Sequence, residues 1–142
     1  MPVVIRTADP SEHSDVLAFW RLATEVPSST DDPDGLDTLT RFDDGALLVA
    51  IEDDCIVGTL IAAWDGWRGA FYRLGVHPDH RGRGVARALV LAGEARLAEH
   101  GCRRISLYAV VAHEPAVAFW RSMGYRQDQE DVRFAANLPI SR

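Results

Sequence analysis

The stretch HPDHRGRGVARALV, residues 77–90, sets Gly82 and Gly84 among Arg81, Arg83 and Arg87 and runs straight into an apolar helical pattern. Glycine at the start of a helix is conformationally costly unless something must approach the backbone there. The first N–H groups of a helix have no intrahelical partner, and the helix dipole adds positive potential at that end. A glycine-rich turn ringed by guanidinium groups and feeding such a helix has the chemistry of a pyrophosphate cradle. Two common cradles do not fit. A P-loop needs Gly-Lys-Ser/Thr, and the chain has no Lys at all. A dinucleotide fingerprint needs a third glycine three residues after Gly84, where Arg87 stands.

What fits is Arg-x-x-Gly-x-Ala over residues 81–86, inside the longer run LGVHPDHRGRGVARALV. A second run, HEPAVAFWRSMGY at 113–125, follows at the right separation. On these motifs, which cover about residues 69–127, the chain resembles the GNAT family of N-acetyltransferases. The resemblance implies acetyl-CoA as co-substrate and a primary amine as acceptor, with direct attack in a ternary complex and homodimers common. It implies cofactor contacts from Leu74, Gly75, Val76, Arg81, Gly82, Arg83, Gly84, Val85, Ala86, Arg87, His113, Phe119 and Trp120. It implies no metal. A backbone N–H of the Leu74–Val76 segment, assigned to Val76, would hold the thioester oxygen.

The chain departs from the family pattern twice. Trp120 stands where the family has a Tyr proposed to protonate the departing thiolate, and an indole N–H cannot serve as an acid near neutral pH. Tyr125, Tyr108 or water would take that role, or no acid is needed, because a thiol of pKa about 8.5 leaves tolerably as thiolate. His113 replaces the usual Asn that bonds the pantetheine arm. Candidate bases are Glu25, Asp31 and Asp32 in an acidic loop, Asp65 in a later turn, and Tyr72 acting through water on the same strand face as Leu74. The acidic loop would also draw in a cationic acceptor. Trp64 and Trp67 either line an aromatic acceptor site or pack a turn, whereas Trp20 reads as core.

These residues need a scaffold. VVIRTA (3–8) reads as a strand, and Asp9, Pro10 and Glu12 then make a helix-start signature. A short helix is expected near 34–42, and a hairpin over 46–64 about a Glu-Asp-Asp turn. After the turn DGWRG comes the strand AFYRLGV, in which Gly75 marks either a bulge, where the pantetheine slips beside the sheet, or a simple kink. Val85, Leu89, Ala92 and Leu97 recur at helical spacing, and Gly101 closes that helix. RRISLYAVV (103–111) reads as a strand, EPAVAFWRSM as a helix closed by Gly124, and DVRFAANL (131–138) as a last strand. The order β-α-α-β-β-β-α-β-α-β is an α/β (α+β) fold in one domain, residues 1–142. The resemblance adds a mixed, mostly antiparallel sheet of about six strands, flanked by helices, with a V-shaped splay after the fourth.

Composition agrees with such an enzyme. A chain of 142 residues, 47% hydrophobic and 25% charged, is ordinary for one globular domain. A net charge of -6 argues against a general nucleic-acid binder. All 15 basic residues are Arg, so no side-chain amine offers itself for acylation. Cys55 and Cys102 lack metal-type spacing and read as free thiols in a reducing compartment. The opening residues lack a signal-peptide pattern and no stretch suits a membrane helix, so a cytoplasmic location and no membrane partner are expected. Two other readings stay open: a non-catalytic acyl-CoA binder, and a transferase of a longer acyl group.

Overall fold

The computed structural model describes residues 2–23 and 28–142. By internal contacts the chain divides into Met1–Tyr108 and Ala109–Arg142. The first unit holds a five-stranded sheet in the order β1-β2-β3-β4-β5. Its strands are β1 (Val4–Thr7), β2 (Leu47–Glu52), β3 (Cys55–Trp64), β4 (Gly69–Val76) and β5 (Ile105–Leu107). The first four are antiparallel, and β5 joins β4 in parallel. The helices of this unit are α1 (His13–Ala23), α2 (Pro33–Phe42) and α3 (Val85–Glu99). No helix among the described residues is long and apolar enough to cross a membrane.

Local sequence explains these elements. Asp9 accepts from the Ser11 N–H while Glu12 accepts from the Asp9 N–H, so the expected capping box forms on a 3-10 turn that leads into α1. Asp53 and Asp54 turn the β2–β3 hairpin with both φ angles positive, a geometry Asp tolerates better than most residues. All of Leu47, Leu48, Val49 and Ala50 are buried, as in a strand covered on both faces. Val16, Phe19, Trp20 and Leu36 of α1 and α2 pack with Val49 and Ile61 on one face. On the other face α3 comes so close that a Cβ at Gly93 would sit 2.9 Å from both Leu60 and Phe71.

Three expectations need correction. The strand read over 103–111 shrinks to Ile105–Leu107, because β5 pairs with β4 only from Gly69↔Ile105 to Phe71↔Leu107. Beyond that point β4 bulges, and a bulge bends a strand away from its neighbour. The segment 131–138 forms no strand, although Val132, Phe134 and Leu138 alternate with polar or small residues, so the sheet has five strands, not six. A strand needs a neighbour, and the described residues of its unit, Ala109–Arg142, contain only the helix α4 (Glu114–Ser122) and irregular chain. Finally, of the two readings of Gly75, the bulge exists but lies earlier. Thr59 opposes Gly75 and Ile61 opposes Tyr72, so Arg73 and Leu74 together face the single residue Leu60.

Candidate active site

Arg73 takes φ +56°, a left-handed conformation that costs a residue with a side chain about 1–2 kcal/mol. Three side chains hold it there. The buried Thr59 hydroxyl donates to the Arg73 carbonyl at 2.9 Å and accepts from the Trp20 indole at 2.9 Å. The Arg73 guanidinium meets Asp31 through two hydrogen bonds, 3.1 and 2.6 Å, and lies 5.6 Å from the centre of the Trp20 ring. Trp20 is thus core, as read, but core with a task.

The bulge shapes the end of β4. His77 N–H donates to the Val57 carbonyl at 2.8 Å. By antiparallel alternation, Val76 then falls in a pair not bridged by hydrogen bonds, and its N–H faces away from β3. On that side β5 has already ended at Leu107, so no described strand of this unit pairs with the Leu74–Val76 edge. The extra residue also breaks the face pattern. Tyr72 shares its face with Gly75, not with Leu74 as period-2 counting suggests.

The strand runs into the glycine turn. Pro78–His80 forms a 3-10 turn, and His80 Nε2 stands 2.7 Å from a carboxylate oxygen of Glu52 at the end of β2. Gly82 and Gly84 take φ +76° and +81°, and a Cβ on either would meet nothing within 4 Å. Left-handed backbone, not crowding, demands glycine here. Gly84 is the residue before α3, and no described side chain caps that end. No acidic residue sits in its first turn, and Arg81, Arg83 and Arg87 are exposed around it. A helix N-terminus with open donors, bare backbone on approach and three arginines around it fits a diphosphate.

A cavity of about 350 Å³ lies where α2 ends, between the β3–β4 turn and the first residues of β4 and β5. Tyr72 and Tyr108, each one residue past the last pair between β4 and β5, line it together with Phe42 and Trp64. Trp64 also stacks on His100, while Trp67 is 70% exposed beneath the Arg68 guanidinium. Of the two tryptophans only Trp64 reaches the cavity.

The expected carboxylate bases are engaged elsewhere. Asp32 caps α2, accepting from Gly35 N–H at 2.7 Å. Asp31 is held by Arg73. Asp65 accepts from the N–H groups of Arg68 and Trp67, and these bonds hold its carboxyl below the usual range, which weakens it as a base. Glu25 lies outside the described residues. Within Ala109–Arg142, His113 precedes α4 without capping it by its side chain. Phe119, Trp120 and Tyr125 form an edge-to-face aromatic row with centroids 5.2 Å apart.

Residues 16–125 match the acetyltransferase (GNAT) family. The chain belongs to that family. An acetyltransferase of Photorhabdus laumondii is 30% identical over 139 residues, covering 97% of each chain. One of Sodalis glossinidius is 31% identical over 134 residues, covering 94% of each. Among solved structures, the aminoglycoside N-acetyltransferase AAC(6′)-Iy with the bisubstrate analogue CoA-S-monomethyl-acetylneamine shares the fold at TM-score 0.77 and 17% identity, covering 96% of this chain and 99% of its own. The PaiA N-acetyltransferase of Thermoplasma acidophilum with coenzyme A does so at TM-score 0.76 and 14% identity, over 92% and 94%. In this GNAT chain, local sequence pointed to the glycine turn. Arg73, Thr59, Glu52 and His80 were missed, because an arginine in a strand carries no signal of a bulge.

Proposed function

We propose that residues 1–142 act as one N-acetyltransferase domain, moving the acetyl group of acetyl-CoA to a primary amine in a ternary complex. The observation that carries this is the uncapped α3 N-terminus behind Gly82 and Gly84, which follows in the chain from the part of β4 that β5 does not pair. Arg81, Arg83, Arg87 and the N–H groups of Val85, Ala86 and Arg87 would hold the diphosphate. Leu74, Gly75 and Val76 would border the pantetheine, with His113, Phe119 and Trp120 as further contacts. The co-substrate supplies an acetyl thioester, whose C–S bond breaks as the amine nitrogen forms a C–N bond to the carbonyl carbon. The Val76 N–H is the donor for the oxygen on which charge builds. With the carboxylates of Asp31 and Asp32 engaged, the amine's surplus proton goes to water bonded to the Tyr72 and Tyr108 hydroxyls. The departing thiolate takes its proton from solvent or from Tyr125, and the indole of Trp120 supplies none.

The test is release of free thiol from acetyl-CoA on addition of amines, with acetylated product identified by mass. Amine-dependent release supports the reading. Binding of acetyl-CoA without release for any amine would instead make the chain a non-catalytic acyl-CoA binder, and faster release from longer acyl donors would reassign the acyl group.

A further inference from the structure

Resting on that reading, we infer that the acceptor is a small monoamine carrying an aromatic or bulky apolar group, and not a polycation. Two independent observations bear on the cavity at the end of α2. The first is its rings. Phe42 is 79% exposed, Tyr108 65% and Tyr72 51%, all three on one cavity that Ala63 and Ala70 also line. Clustered aromatic exposure of this kind marks a surface that covers itself with a ligand. At about 350 Å³ the cavity is at the small end of the range for small-molecule sites.

The second is its charge. Asp43 lines the cavity, but one carboxylate oxygen bonds the Arg96 guanidinium and the other accepts from Trp64 N–H at 3.1 Å. Asp65 has Arg68 beside it on the same rim and spends one oxygen on two backbone N–H groups. Asp31 does not line the cavity and is paired with Arg73. The net charge of -6 is therefore not concentrated where the acceptor would sit. A polyamine would bury several ammonium groups here without matched carboxylates, which is costly. A ring on a short chain would stack on the exposed aromatic faces, and its single ammonium would lie over a ring until it loses a proton. The transfer then balances as before: C–N forms, C–S breaks, and the thiol and N-acetyl amine leave.

The experiment compares kcat/KM with acetyl-CoA for phenethylamine and tryptamine against spermidine and kanamycin, using the full chain. Burial of one ring predicts a preference of ~10-fold or more for the aromatic amines. Phe42→Ala, at an exposed helix end, is expected to weaken that preference while leaving the thermal shift caused by coenzyme A unchanged. Equal or better use of the polycations, or acetylation of spermidine or kanamycin with none of either aromatic amine, would overturn the assignment. Binding of coenzyme A with turnover of no amine would overturn the transferase reading and not the choice of acceptor. Loss of the coenzyme A shift in the wild type would strike the acetyltransferase reading beneath it, so the two failures are separable.

Discussion

Replacing Thr59 by Val changes almost no volume and removes one oxygen, yet it is expected to be among the more damaging single changes in the sheet. Thr59 is fully buried, and its hydroxyl serves the Trp20 indole and the Arg73 carbonyl at once, each at 2.9 Å. Each buried polar group deprived of its partner costs about 1–3 kcal/mol, and the two share one site, so we expect about 2–4 kcal/mol together. At roughly 3 °C per kcal/mol for a chain of this length, the melting temperature falls by ~6–12 °C. Thr59→Ser is the control. It keeps the hydroxyl and gives up one buried methyl, about 1 kcal/mol. The assay is thermal unfolding by circular dichroism of the two variants beside wild type. At a temperature where all are folded, turnover should fall further in Thr59→Val, because the Arg73 bulge that leads into the Leu74–Val76 segment of β4 loses an anchor. If Thr59→Val is as stable as Thr59→Ser, the hydroxyl does not hold the bulge and the reasoning fails.

Glu12 gives a pH prediction. The Arg6 guanidinium, with the Asp9 N–H, holds its carboxyl at about 2, below the ordinary 4.5. A depressed pKa stabilises the fold fully above about pH 4.5, and that contribution disappears as pH falls towards 2. Screened at this partly exposed site it amounts to ~1 kcal/mol. Glu12→Gln should therefore melt ~3 °C below wild type at neutral pH, with the gap closing in acid; a gap that stays constant would count against the pair. For Trp120, Phe should leave kcat within ~3-fold of wild type. A loss of ~100-fold or more, the size of a general-acid contribution, would show that the indole matters to proton transfer after all.

How much was legible follows from how local each signal is. The α1 capping box and the Gly101 and Gly124 stops depend on neighbours within a few residues, and all stand where the sequence put them. So does the glycine turn. The bulge depends on Arg73 being pinned by Asp31 and Thr59, partners 42 and 14 residues away, and no local pattern announces that. Gly75 drew attention because glycine is conspicuous in a strand, but it pairs in register with Thr59. The acidic loop looked like a reservoir of bases. Helix capping and an ion pair claim Asp32 and Asp31 first, since a buried or terminal donor left without an acceptor is expensive. The alternation over 131–138 was real, yet alternation states a preference for pairing, and no described strand of its unit is there to pair with.

The central claim is that the Gly82–Gly84 turn and the α3 N-terminus hold the diphosphate of acetyl-CoA. Its most direct test is the melting temperature of wild type and Gly84→Glu with and without acetyl-CoA, with Gly84→Asn as a control that tolerates the left-handed backbone. At ~100 times its dissociation constant the ligand should add about 2.7 kcal/mol, or ~8 °C. That shift should persist largely in Gly84→Asn and vanish in Gly84→Glu, whose carboxylate would face the phosphates. An undiminished shift in Gly84→Glu, or none in the wild type at millimolar ligand, would contradict the account.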